Sequence, residues 1–103
     1  MNYSRNDVVL LPIPFTDLTS RKVRPAVVIG AHGMDLFVVP ISSQMDNTDF
    51  PIQKWREAGL NVPCGVKAQL ATVESRLVVR LIGTLSAVDQ SKLEKRLRDW
   101  LKL

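Results

Sequence analysis

"RPAVVIGAHGMDLFVVPISSQ", residues 24–44, holds two apolar runs, and each opens or closes on a residue that does not belong in a core. Between them lies "AHGM", and Gly30 and Gly33 supply permissive backbone for a hairpin turn near residues 31–34. Residues 25–30 and 35–41 are therefore expected to pair as antiparallel strands. Arg24 stands directly before Pro25, which biases its predecessor to extended geometry and so sets the direction of the Arg24 backbone. Counting the register back from the turn brings residue 24 near residues 41–43, so a guanidinium and the hydroxyls of Ser42 and Ser43 share one end of the sheet. Such a set can hold a phosphodiester, the arginine neutralising charge and a serine donating to a non-bridging oxygen. The residues allow a plainer reading too: Arg24 caps a loop or pairs with Asp17, and the serines only end a strand.

Working outward, "DVVLLPIPF" (residues 7–15) is rich in Val, Leu and Ile, but Pro12 and Pro14 cannot donate ladder hydrogen bonds, so a first strand is expected over residues 7–13. "TDLTSRKV" (residues 16–23) is polar and rich in turn formers, a loop of the length at which loops begin to carry function. Beyond residue 44, "FPIQ" is a short candidate strand and "KWREAGL" one helical turn or a loop. "CGVKAQLATV" reads as a further strand, and residues 75–86 as a long one with a bend or bulge at Gly83. The period then changes. Ser86 with Asp89 three residues on makes a capping-box variant, and Leu93, Leu97, Trp100 and Leu101 recur at helical spacing, which predicts a helix over residues 87–101. Its other face carries Lys92, Lys95, Arg96, Arg98 and Lys102, a solvated basic face. Five or six short strands and one terminal helix predict a mostly β domain built on a strongly curved antiparallel sheet or barrel. The apolar strand "LVVRLIG" offers an edge to a second copy, which makes a homodimer an expectation.

Composition narrows the chemistry. The 103 residues suffice for one domain spanning residues 1–103, and 46% apolar content suffices for one core. A single cysteine excludes an internal disulfide and suits a reducing compartment. With no apolar run near ~18 residues and no leader pattern, neither a membrane span nor a signal peptide is supported, and a cytoplasmic protein is expected. The net charge of +4 favours a polyanionic partner without requiring one. One histidine, one cysteine and no metal-ligand spacing argue against a metal, and no glycine-rich phosphate loop supports a nucleotide cofactor. His32, between Ala31 and Gly33 at the hairpin tip, reads as a solvated turn residue rather than a general base. A trio of Ser42, His32 and Asp7 can be written down, but no nucleophile elbow accompanies it.

The ordered set "DVVLLPIPFTDLTSRKVRPAVVI", then a strand ending "VVPISS", resembles the MazF/PemK-like toxin family, and "LATVESRLVVRLIGTLS" with the terminal helix is similar to that family's C-terminal half. The resemblance implies an SH3-like barrel of the CcdB/PemK type with a C-terminal helix. It also implies a homodimer and the toxin half of a type II toxin–antitoxin pair, neutralised by a cognate antitoxin whose acidic tail crosses the basic groove. The implied activity is a metal-independent, cofactor-free endoribonuclease acting on single-stranded RNA, leaving 2′,3′-cyclic phosphate and 5′-OH ends. By this likeness Arg24 is the catalytic arginine, and Ser42 falls where the family usually has threonine, keeping the hydroxyl and losing the methyl that stiffens the rotamer. The loop before Arg24 is then expected to close over RNA through Phe15, Thr16, Arg21 and Lys22, with Ser43, Lys67 and Gln69 lining the groove. Phe15 equally suits a core anchor, and Lys67 and Gln69 an exposed strand face. The alternative is a non-catalytic module on the same barrel: a CcdB-type gyrase inhibitor or an inactive relative that binds RNA or a partner.

Overall fold

The runs "VVLL", "AVVIG" and "LFVV" carry apolar residues at consecutive positions rather than alternate ones, which is the pattern of strands covered on both faces. A computed structural model, describing residues 2–12 and 22–103, has that arrangement. Strands β1 (Asp7–Pro12), β2 (Val23–His32) and β3 (Asp35–Ser42) form its centre, all antiparallel. Val8, Val27, Val39 and Ile41 point to one face and pack with Phe50, Ile52, Leu93 and Leu97. Val9, Leu11, Ala26, Val28, Leu36 and Val38 point to the other, where Tyr3, Ala71, Val73 and Val78 cover them. Each fully buried valine or leucine contributes about 1.5–3 kcal/mol, so the two clusters are both main supports of the fold.

Four shorter strands complete the sheet: β4 (Phe50–Pro51), β5 (Gly65–Val66), β6 (Ala71–Glu74) and β7 (Arg80–Thr84). The order is β4-β5-β3-β2-β1-β7, with β6 also pairing β3. This is a mostly β, antiparallel, barrel-like fold with a C-terminal helix, and its sheet does not close. Helix α1 runs Ala87–Leu101. Among the described residues no helix is long and apolar enough to cross a membrane.

Three expectations need correcting. The strand expected over "CGVKAQLATV" is two strands that share the outer edge of β3: β6 pairs residues 35–38 and β5 pairs residues 41–42. Pro40, between them, has no N–H to give, while its carbonyl accepts from the Lys67 N–H at 3.0 Å, so the edge changes partner there. The long strand over residues 75–86 begins instead as a short 3-10 turn, Ser75–Leu77, because the Ser75 N–H is drawn to the Met34 carbonyl and the Val78 N–H to that of Ser75. Leu101 is exposed rather than in the core stripe, since Leu93 and Leu97 with half-buried Trp100 already fill the face against the sheet. The hairpin turn is tight: His32 pairs with Asp35, leaving Gly33 (φ +61°) and Met34 as the turn itself. The end of the first strand at residue 13 lies outside the described residues. Residues 53–59 form a succession of turns rather than a helix.

Ser86 caps α1, its Oγ accepting from the Asp89 N–H and donating to the Asp89 carboxylate at 3.0 Å. Asp89 is 2% exposed, and its two oxygens accept the N–H groups of Gln53 (2.8 Å) and Lys54 (2.9 Å). One carboxylate therefore ties the helix start to the turns of residues 53–59. At the far end of those turns Gly59 (φ +87°) lies on the bulge of β7, where an added Cβ would stand 2.0 Å from the Ile82 carbonyl oxygen. The expected irregularity at Gly83 is real: the β1–β7 register shifts between Val8 and Val9, and a Cβ on Gly83 would meet the Ala58 carbonyl at 2.4 Å.

Candidate functional site

The β2–β3 ladder stops at Ala26 and Pro40, one pair short of Pro25, which has no N–H to extend it. Beyond that point the chains part, and a cavity of ≈ 540 Å³ opens, lined on one side by Arg24, Ser42 and Ser43. Extending the register by two pairs sets Arg24 opposite Ser42, the juxtaposition expected from the hairpin. Lys67, just after β5 and placed by its backbone hydrogen bond to Pro40, lines the same cavity. Among the described residues, two cations and two hydroxyls thus converge from the start of β2 and the ends of β3 and β5.

Arg24 is exposed and takes no hydrogen bond or ion pair among the described residues, so its five donors are available to a ligand. The Ser42 Oγ accepts from the Gln44 N–H at 3.0 Å, which orients the oxygen and leaves its own O–H to donate. Among the described residues no group of three His, Cys, Asp or Glu comes together to hold a metal. Such a site is suited to binding a phosphate: it concentrates positive charge and donors, and none of its described lining residues is a carboxylate that would repel the anion.

Of the other expected residues, Gln69 lies next to this cavity rather than in it, lining a shallower hollow of ≈ 310 Å³ with Asp46, Asn47 and Lys67. Lys22 is exposed just before β2 and is not part of the lining. Phe15, Thr16, Arg21 and Asp17 lie outside the described residues. The basic face of α1 is partly engaged: Arg96 pairs with Asp49 at 3.3 Å and stacks over Phe50, and Arg98 faces Glu94.

Sequence reasoning missed part of the lining. Gly59, Leu60, Asn61, Val62 and Cys64, from the end of the turns and the segment after them, also line the cavity, as do Gln44 and Asn47. Nothing in their spacing marks them, because they reach the cavity only through the packing of Gly59 on β7. Burial pushes the Cys64 thiol above its ordinary value, and its S–H donates to the Val62 carbonyl at 3.3 Å.

Comparison with known proteins adds the following. The chain matches the family described as "PemK-like, MazF-like toxin of type II toxin-antitoxin system" over residues 4–101. No curated protein matches it significantly. Among solved structures it is similar to the Mycobacterium tuberculosis toxin MazF-mt6, with a TM-score of 0.74 and 19% identity over 94% of this chain and 97% of that one. It is also similar to an endoribonuclease in complex with its cognate antitoxin from a mycobacterial species, with a TM-score of 0.74 and 15% identity over 100% of this chain and 97% of that one. Likeness at these identities establishes the fold.

Proposed function

Since the chain belongs to the PemK-like, MazF-like toxin family of type II toxin–antitoxin systems, we propose that it is an endoribonuclease that cuts single-stranded RNA at the Arg24–Ser42 cavity. The observation that carries this reading is the meeting of Arg24, whose side chain has no partner among the described residues, with Ser42 and Lys67 at the end of the β2–β3 ladder. A solved structure of the same fold described as an endoribonuclease adds support.

In the proposed reaction the RNA 2′-oxygen attacks the adjacent phosphorus while its proton passes to a base. The bond to the 5′-oxygen breaks, that oxygen takes up a proton, and the products are a 2′,3′-cyclic phosphate and a 5′-OH. The phosphorane carries more negative charge on its non-bridging oxygens than the ground-state diester, so donors fixed around those oxygens favour it selectively. Arg24 supplies a charged fork of donors, Ser42 one oriented hydroxyl, and Lys67 a further positive charge. A guanidinium is a donor with no acceptor to offer, so Arg24 acts by electrostatic stabilisation and not as the base. The proposed partners are a cognate antitoxin and a second copy of this chain. For the second copy, β7 ends the strand order among the described residues, and Val79 just before it and Leu81 on it are 63% and 49% exposed.

The test is cleavage of mixed-sequence single-stranded RNA by purified protein in excess EDTA, beside Arg24→Ala, with product ends mapped. Cyclic-phosphate and 5′-OH ends that vanish in the variant are expected. No cleavage by folded wild-type protein would overturn the catalytic reading in favour of a non-catalytic binding module.

A further inference from the structure

The cavity lining has two unlike parts. Arg24, Ser42, Ser43 and Lys67 make one suited to a phosphate, while the other, from residues 59–64, carries no charge and has Asn61 between apolar neighbours. Val62 from that segment and Val23 from β2 are both half-exposed and line the cavity. Apolar groups beside an amide suit the flat face and polar edge of a nucleobase, as they do not suit a second phosphate.

Three amides line the cavity, and their hydrogen bonds distinguish them. Asn47 donates to the Gln44 Oε1 at 2.9 Å, so that pair is mutually engaged. Asn61 makes no side-chain hydrogen bond among the described residues, leaving both donors and the acceptor open to a ligand. Its backbone is nevertheless held in place. Leu60 and Cys64, on either side of it, are buried, the Leu60 N–H bonds to the Trp55 carbonyl at 3.1 Å, and Gly59 rests against Ile82. Upstream, Asp89 anchors the start of the same turns. A free amide on a fixed support is what base recognition requires, because little ordering remains to be done on binding.

Resting on the ribonuclease reading above, we propose that Asn61 reads the base next to the phosphate held at Arg24, its amide hydrogen-bonding the base edge while Val23 and Val62 flank the ring. The amide offers a donor beside an acceptor. An aspartate there offers acceptors only, and among the four bases it is best matched by guanine, whose N1–H and N2–H₂ present adjacent donors.

The experiment selects from a randomised single-stranded 2′-fluoro-RNA pool, which lacks the attacking hydroxyl, using wild type, Asn61→Ala and Asn61→Asp, and sequences the bound fraction. Cleavage of ordinary RNA is mapped in parallel. Wild type is expected to enrich one base at one position by about tenfold; Asn61→Ala flattens that position alone, and Asn61→Asp moves it to guanine. Unchanged preferences in both variants would overturn the assignment, whether or not overall binding falls. If wild type does not cleave but its preference depends on residue 61, the catalytic reading falls and the base contact stands. If Asn61→Ala cleaves at the wild-type motif, the base contact falls and the chemistry stands. Failure of wild type to bind the pool would overturn both.

Discussion

At the scale of single residues, the site depends on donor geometry, and substitutions separate charge from shape. Arg24→Lys keeps the charge and loses the bidentate fork, so single-turnover cleavage of a short RNA is expected to fall by at least about tenfold. Ser42→Ala removes an oriented donor and is expected to cost about a hundredfold in kcat, whereas Ser42→Thr keeps the hydroxyl and stays within a few-fold. Equal rates for Ser42→Ala and wild type would remove the serine from the chemistry. Cys64 gives a pH test with a definite sign. Its thiol is pushed up by burial, so the folded state holds the proton to higher pH than the unfolded state does. The stability this contributes is fully present below the ordinary thiol range and is lost as pH rises through the shifted value. Urea midpoints should therefore fall less steeply above about pH 8.5 in Cys64→Ala than in wild type. A thiol reagent at pH 8 should label the native protein far more slowly than the urea-unfolded chain.

At the scale of elements, the joint between α1 and the turns of residues 53–59 matters more than either part alone. Asp89 closes the helix cap and satisfies two backbone donors from a segment 35 and 36 residues away in sequence. Asp89→Ala leaves those N–H groups without their partner and removes the carboxylate that accepts from the Ser86 hydroxyl, for an expected loss of about 2–4 kcal/mol in urea denaturation. Asp89→Asn keeps one acceptor and should lose less. Gly59→Ala has no room against Ile82 and the wrong φ, so it is expected to destabilise the fold and disturb the cavity wall together. The helix was legible because its cap and its 3.6-residue period are both local signals, and residues 87–101 are helical as expected. The strands over residues 65–84 were harder to read. Where each of them stops is set by which edge of β3 or β1 remains open, and no local pattern records that.

At the scale of the whole molecule, β7, last in the strand order of the described residues, is with its exposed Leu81 and the preceding Val79 the surface expected to join two copies. Sedimentation should find a dimer at micromolar concentration, and Val79→Lys with Leu81→Lys should give a folded monomer. A wild-type monomer would count against this edge and against the dimer. What the sequence alone determined is the mostly β class, the terminal helix and the convergence of Arg24 with Ser42. These follow from apolar runs, a cap and a hairpin whose register can be counted from its turn. Only the tertiary structure decided that Lys67 joins them and that Asn61 lines the same cavity. Those two arrive through Pro40 diverting the edge of β3 and Gly59 packing onto β7, contacts between segments whose spacing in the chain carries no period to read.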